Sequence, residues 1–202
     1  MKIVNKDIHP MDVSFDWRKT AAEELDLSEC IYLTIRHHLS KRHDFHNLPY
    51  VSQLKSLSIY FSNINSLKGI EKFLTLENLE LYYMSKLMNI EGISKLHKLN
   101  SLNLFNAKKV KDFSEIGSLK QLRALRICDS GDINDLRFLK GLNQLRELSF
   151  AGSNVVCGDL SIIEELPMLE WCGFDNKKHY SHSYEQINSI LLAKKGSAKK
   201  TL

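Results

Sequence analysis

The sequence predicts an α/β solenoid, a chain of stacked units in which short parallel strands alternate with short helical or 3₁₀ segments. A six-residue phrase with apolar residues at its first, fourth and sixth positions recurs along the chain. Successive copies begin at Leu54, Leu76, Leu99, Leu122, Leu145 and Leu169, at intervals of 22, 23, 23, 23 and 24 residues. Self-similarity at so regular an interval indicates repeat units that stack on one another.

Each repeat has two parts, and its positions are numbered as slots from the first apolar residue of the phrase. Apolar residues at slots four and six alternate with mostly polar residues at slots three, five and seven, which predicts a short strand with one buried face. The rest of each repeat has an apolar residue at every third position, as at Leu87, Ile90, Ile93 and Leu96. This spacing of three favours a 3₁₀ or short helical return segment.

The repeats extend upstream of the first clear phrase. A 24-residue unit has Cys30, Leu33 and Ile35 at its strand slots. We therefore predict about seven repeats over residues 30–176, preceded by an N-terminal cap over residues 1–29.

Both ends of the array need closing, since terminal repeats would otherwise expose the core. At the N-terminal end, Phe15 and Trp17 are the apolar residues expected to cover it. At the other end, Ser183 and Gln186 have the spacing of a capping box before an apolar-periodic run. Residues 177–202 are therefore predicted to form a C-terminal capping helix and a basic tail.

The phrase and its interval of 22–24 residues resemble the leucine-rich repeat family, and the short units are similar to its bacterial, internalin-like class. The resemblance covers about residues 30–176. It implies a horseshoe with a parallel β-sheet on the concave face. The family usually has Asn at slot nine, where the side chain ties down the turn after the strand. This chain has other residues at that slot: Ser62, Met84, Ala107, Ser130 and Ser153.

Composition and charge argue against several classes of function. The 202 residues have a net charge of +4, which equals the contribution of Lys194, Lys195, Lys199 and Lys200. A short basic tail is typical of a solvated chain end, so we expect no nucleic-acid partner. The sequence has neither an apolar run of membrane-spanning length nor the apolar run of a secretory signal at its start. We therefore expect no membrane partner and a cytoplasmic location. Four cysteines without paired spacing indicate a reduced compartment.

The concave face is the predicted binding surface, because slots three, five and seven point outward from it. Slot seven is aromatic in three consecutive repeats, at Tyr60, Tyr82 and Phe105, which predicts a stripe across neighbouring strands. Aromatic residues and Arg concentrate binding energy at interfaces. The alternative is a cross-strand ladder that only stabilises the sheet. The candidate partner-binding residues are Tyr32, Arg36, Tyr60, Phe61, Glu80, Tyr82, Tyr83, Asn103, Phe105, Arg126, Asp129, Glu147 and Trp171.

Two other clusters could suggest chemistry. Four histidines fall near the first return segment: His37, His38, His43 and His46. We expect a solvated loop there, since metal ligands need convergent geometry and second-shell support. The run Cys157-Gly158-Asp159 resembles the CxD motif of bacterial leucine-rich ubiquitin ligases, but in that family the motif lies in a separate helical domain. We therefore predict no catalytic residue, no metal site and no cofactor.

These expectations favour a non-catalytic protein-binding module that holds a partner protein on its concave face and is a monomer when unbound. In its sharpest version, it is an immunity protein that neutralises a cognate bacterial toxin. The balance of charge outside the tail argues against a strongly basic toxin. The alternatives are an internalin-like adhesin or virulence factor that binds a host protein, a nucleic-acid or membrane-surface binder that uses the lysine tail, and a metal-dependent activity of the histidine cluster.

Overall fold

The computed structural model describes residues 11–21 and 25–198, and one parallel sheet dominates this part of the chain. The sheet strands are β1 Asp12–Asp16, β2 Tyr32–His38, β3 Ser56–Ser62, β4 Asn78–Tyr82, β5 Ser101–Phe105, β6 Ala124–Cys128, β8 Glu147–Ser149 and β10 Trp171–Gly173. They lie side by side in chain order. Two further strands, β7 (Asp132–Ile133) and β9 (Asn154–Val155), pair in parallel with each other in the return parts of two neighbouring repeats.

Neighbouring strands pair slot to slot, so equal positions of successive repeats form columns across the sheet. Leu57, Leu79 and Leu102, all at slot four, lie directly opposite one another in β3, β4 and β5. These leucines are fully buried, whereas slots three, five and seven of the same strands are partly exposed. The predicted solenoid, with one strand per repeat and one buried sheet face, is therefore confirmed. The outward face of the sheet is called the concave face below.

The predicted N-terminal cap contributes a strand to the same sheet. Strand β1 pairs in parallel and in register with β2 along its whole length. Phe15 is buried in the core at this end, and Trp17 stacks on it. Residues 1–10 and 22–24 of the cap lie outside the described residues, and the boundary at residue 29 stays a prediction.

The return segments are short turns, as the spacing of three predicts. 3₁₀ turns span Ile70–Lys72, Ile93–Lys95, Ser114–Ser118 and Arg137–Leu139, and helix α1 spans Ile162–Glu165. Each buries one apolar residue against the sheet: Ile70, Ile93, Ile116, Leu139 and Ile163. The core is thus a continuous ribbon of Leu and Ile between the strands and the return segments.

The C-terminal end of the stack is covered by helix α2 (Tyr184–Ala198), which contacts β10. Its capping box is reciprocal: the Ser183 amide donates to Gln186 Oε1 at 2.7 Å, and the Gln186 amide donates to Ser183 Oγ at 3.3 Å. Ile187 and Leu191 are its buried residues. No helix in the described part of the chain is long and apolar enough to cross a membrane. Residues 199–202 of the predicted tail lie outside the described residues.

At slot nine, serine side chains hydrogen-bond to the backbone of the turn after the strand, the role that Asn usually has in the leucine-rich repeat family. The Ser130 amide donates to Ser153 Oγ at 2.9 Å, and Ser153 Oγ donates to the carbonyl of Ile127 at 2.8 Å. One repeat earlier, the Ala107 amide donates to Ser130 Oγ at 3.2 Å. Because slot nine is buried along this column, these bonds satisfy backbone groups that water cannot reach.

The expectation of a solvated histidine loop is wrong for His38; His37 and His38 both lie in β2, where His37 faces outward and His38 faces the core. His38 occupies slot nine and is fully buried. Its Nδ1 lies 2.9 Å from Ser62 Oγ, and its Nε2 lies 2.9 Å from Asn47 Oδ1. Burial lowers the pKa of His38 to about 4, so its imidazole is neutral at physiological pH. His43 and His46, by contrast, are exposed.

Candidate binding surface

The turn after each strand repeats one unusual backbone conformation. Slot eight has a left-handed φ in six repeats: His37 (56°), Phe61 (61°), Tyr83 (59°), Asn106 (58°), Asp129 (49°) and Gly152 (71°). A left-handed residue interrupts the alternation of a strand, so slots seven and eight both face solvent and slot nine returns to the core. In β3, Tyr60 and Phe61 are accordingly accessible, while Ile59 and Ser62 on either side are buried. Each repeat therefore presents two adjacent outward side chains where its strand ends.

Aromatic side chains fill these outward positions in neighbouring repeats. Tyr60 and Tyr82 of slot seven stack with ring centroids 4.6 Å apart and an interplanar angle of 10°. Phe61 and Tyr83 of slot eight stack at 4.5 Å and 6°. The ring of Phe105 contacts both columns, tilted against Tyr82 at 6.2 Å and T-shaped against Tyr83 at 5.5 Å. These five residues are called the aromatic patch.

His37 extends the slot-eight column by one repeat. Its ring stacks on Phe61 with centroids 5.2 Å apart and an interplanar angle of 8°. Its Nδ1 lies 3.0 Å from a carboxylate oxygen of Asp16 in β1. Arg18 donates to the same carboxylate, and this bond holds the pKa of Asp16 well below its usual range. Sequence reasoning expected His37 in a solvated loop, but it counted neither His37 nor Asp16 among the residues of the concave face, since it did not recognise β1 as a strand.

Polar side chains of slot five lie at the rim of the patch. Ser58 Oγ donates to Glu80 Oε2 at 2.8 Å. Asn103 Nδ2 donates to the Tyr82 hydroxyl at 3.0 Å. Partial burial and, next, the nearby Glu80 carboxylate raise the pKa of Tyr82, so its phenol stays neutral and can donate a hydrogen bond.

Some of the charged residues predicted to bind a partner are instead paired with other residues of the concave face. Arg126 Nη2 lies 2.5 Å from Glu147 Oε2, so neither charge is fully available to orient a partner. Arg36 donates to Ser14 Oγ of β1 at 2.9 Å. Asp129 is exposed in the slot-eight column. Two of the charged residues predicted to orient a partner, Arg126 and Glu147, thus form an ion pair with each other, and only the strand register reveals it.

Two of the candidates lie away from the patch. Tyr32 and Trp171 occupy slot three of β2 and β10, and their side chains are 49% and 44% exposed. Slot three precedes slot seven by four residues, about 13 Å along a strand. Trp171 lies over Gly173 of its own strand, where a Cβ would meet the indole at 2.4 Å. Of the thirteen candidates, five thus form the aromatic patch, with Glu80 and Asn103 at its rim. Their role in binding stays a prediction.

The two remaining features are the histidine cluster and the run Cys157-Gly158-Asp159, neither of which forms a metal or catalytic arrangement in the described residues. In the described part of the chain, no group of three or more His, Cys, Asp or Glu side chains is arranged to hold a metal ion. Cys157 is exposed, and Gly158 forms a turn with a φ of 71°. Asp159 accepts the amide of Ser161 at 2.9 Å, so its carboxylate is engaged in a local turn. The absence of catalysis stays a prediction.

Two bacterial proteins of known structure share this fold. One is an internalin (inlF) from Listeria monocytogenes, with a TM-score of 0.61 and 24% identity over 73% of this chain and 42% of that chain. The other is a leucine-rich repeat protein from Leptospira interrogans, with a TM-score of 0.56 and 21% identity over 74% of this chain and 38% of that chain. The chain therefore spans about two fifths of the length of each. No protein-family model and no curated protein matches the sequence.

Proposed function

From the leucine-rich repeat fold that this chain has, we propose that it is a non-catalytic protein-binding module and that its aromatic patch holds a partner protein. The fold alone gives no function, so the proposal depends on the concave face. Its main support is that bulky aromatic residues occupy left-handed backbone positions while remaining exposed to solvent.

The backbone at slot eight makes aromatic residues there expensive for folding. A left-handed conformation costs a residue with a Cβ about 1–2 kcal/mol, and Gly or Asn tolerates it best. Later repeats follow that preference with Asn106 and Gly152. Phe61 and Tyr83 do not, and they are still 46% and 43% exposed. Strain of this kind concentrates at functional sites, which supports a binding role over a purely structural ladder.

The packing of the rings favours a protein partner over a sugar. Sugars stack on ring faces, but within each aromatic column the faces cover one another at 4.5–4.6 Å. The columns consequently direct ring edges toward solvent, and edges suit the aromatic and aliphatic side chains of a protein. Eight strands about 4.8 Å apart extend over about 34 Å, enough for a half-interface of about 800 Å².

The test is affinity capture from native cells with the wild-type chain and with a Tyr60/Tyr82/Phe105 triple-Ala variant. We expect one protein that co-elutes in near-equal amount with the wild-type chain and is lost from the variant. Tyr82→Ala alone should weaken binding by about 2 kcal/mol or more. Unchanged circular dichroism and melting of the Tyr82→Ala chain would show that folding survives. A stoichiometric partner retained by the triple variant would contradict the assignment of the patch.

The sharpest form of the proposal is an immunity protein that neutralises a cognate bacterial toxin in the cytoplasm and is a monomer before it binds. The captured protein should then stop growth when produced alone, and co-production of the wild-type chain should restore growth. The triple-Ala variant should fail to restore it. Cell fractionation tests the location, and light scattering of the purified chain tests the monomer. A captured protein that is harmless when produced alone would exclude this form.

The alternative is an internalin-like adhesin or virulence factor that binds a host protein, and the fold shared with the Listeria internalin favours it. An adhesin has to be accessible from outside the cell. Protease treatment of intact cells should then degrade the chain, whereas a cytoplasmic immunity protein should survive until the cells are lysed.

A further inference from the structure

Charge is distributed unevenly between the concave face and the rest of the chain. In the described part, the Asp, Glu, Lys and Arg residues at outward slots three, five, seven and eight, and at the positions of β1 in register with them, are Asp12, Asp16, Glu80, Asp129, Glu147, Asp175, Arg36 and Arg126. Six carboxylates therefore share this face with two arginines, although the whole chain has a net charge of +4. The positive excess therefore lies outside these slots, in the turns after the strands, the return segments and the C-terminal end.

Ion pairs neutralise only part of this negative charge. Asp16 pairs with Arg18, and Glu147 pairs with Arg126. Four carboxylates have no ion pair with any described residue: Asp12, Glu80, Asp129 and Asp175. One arginine, Arg36, is likewise outside any ion pair and donates to a serine hydroxyl. Four unpaired carboxylates against one unpaired arginine leave these outward slots with a net charge of −3.

Two of the unpaired carboxylates are close enough to the aromatic patch to act on the same partner. Glu80 is two residues before Tyr82 on β4, about 7 Å along the strand. Asp129 follows Tyr83 by two repeats in the slot-eight column, about 10 Å across the sheet. Both separations are comparable to the Debye length of about 8 Å at physiological ionic strength, so both charges contribute to the local field.

We propose that the partner presents a segment rich in Lys or Arg around an aromatic or aliphatic anchor, an inference that rests on the proposed function. The anchor packs on the ring edges of the aromatic patch, and the flanking cations reach Glu80 and Asp129. Complementary charge of this kind steers encounter and fixes orientation. The balance of charge outside the tail argued against a strongly basic partner. The fold, however, places mainly carboxylates at the outward slots of the concave face, which favours a basic partner there.

The experiment selects binders from a phage-displayed library of random 12-residue peptides on the purified wild-type chain. Enriched peptides are then synthesised, and their Kd is measured at 50 and 300 mM NaCl. The matched variants are Glu80→Lys, Glu80→Gln and Arg36→Glu. The control is Glu91→Lys, an equal charge change at an exposed residue of a return segment. Tyr82→Ala reports separately on the aromatic patch.

We expect enriched peptides with net positive charge and an aromatic or aliphatic anchor, bound more weakly at high salt. Glu80→Lys should weaken them about tenfold and Glu80→Gln a few-fold, while Arg36→Glu strengthens them and Glu91→Lys stays within about twofold. Acidic or neutral peptides that still depend on Tyr82 would overturn the charge inference and leave the proposed function standing. No enrichment, or enrichment indifferent to Tyr82→Ala, would overturn both.

Discussion

Acidification should destabilise the fold through His38, whose imidazole lies buried beneath the turn after β2. Above pH 6.5 the imidazole is neutral in both the folded and the unfolded chain, and its contacts with Ser62 and Asn47 are intact. Below pH 6.5 the His38 imidazole of the unfolded chain becomes protonated, whereas that of the folded chain stays neutral until the pH approaches 4. The free energy of unfolding therefore falls as the pH drops through this window.

The magnitude follows from the difference between the two pKa values. Burial lowers the pKa of His38 from 6.5 to about 4, and one pKa unit corresponds to about 1.4 kcal/mol. The expected loss is thus about 3 kcal/mol by pH 4. Lys72 and Asp44 also act on this imidazole, in opposite directions, with Lys72 lowering the pKa and Asp44 raising it. Three kcal/mol is a large part of the stability of a domain of this size.

The assay is urea unfolding of the wild-type chain and of His38→Gln at pH 7.5, 6, 5 and 4. The His38→Gln chain retains the other titrating groups. Subtracting its free energy of unfolding from that of the wild-type chain therefore isolates the contribution of the His38 imidazole. The difference between the two chains should shrink by about 3 kcal/mol from pH 7.5 to pH 4. His97→Gln, at an exposed position, is the control and should leave the pH dependence unchanged. A difference that stays constant over the whole range would refute the assignment of a neutral, buried His38.

Three substitutions separate folding from binding. Leu102→Ala should cost about 2–5 kcal/mol of stability, measured by urea unfolding, because it empties a core position. Tyr83→Asn should change the stability by no more than about 1 kcal/mol, since relief of left-handed strain offsets the lost ring stacking, but it should weaken partner binding by about 2 kcal/mol in calorimetry. Ser130→Ala should cost about 1–3 kcal/mol in unfolding, because the Ala107 amide loses its acceptor, whereas Ser118→Ala at an exposed position stays within about 0.5 kcal/mol.

Each of these expectations has a clear contrary result. A Leu102→Ala chain of wild-type stability would mean that the slot-four column is not a close-packed core. Loss of stability and binding together in Tyr83→Asn would make that residue a structural one. Equal melting of the Ser130→Ala and Ser118→Ala chains would mean that the serine ladder contributes nothing measurable.

The sequence was sufficient to predict the solenoid because burial in a repeat protein is decided within each repeat. Leu57, Leu79 and Leu102 share a slot, and equal slots become neighbours in the sheet without any long-range choice of partner. The same periodicity correctly predicted the 3₁₀ return segments. Strand β1 was not predicted, since a single short alternation around Val13 and Phe15 has no recurring phrase to identify it.

The surface was less accessible to sequence reasoning. Alternation with a period of two does not foresee a left-handed residue at slot eight, so His37 went unrecognised beside the aromatic residues. The ion pair between Arg126 and Glu147 crosses from one strand to its neighbour, and the net charge of the chain conceals the acidic concave face. His38 was misplaced because a histidine run appears polar in sequence, whereas its slot is a core position.

The left-handed turn also bears on how such a surface can change over time. The turn is present with His, Phe, Tyr, Asn, Asp and Gly alike, so the framework forms with very different side chains at one outward position, at a cost of about 1–2 kcal/mol where the residue is neither Gly nor Asn. Substitutions at slot eight can therefore accumulate repeat by repeat while the buried ladder beneath them is kept. A chain built this way can exchange one binding specificity for another through a handful of mutations, without passing through an unfolded ancestor.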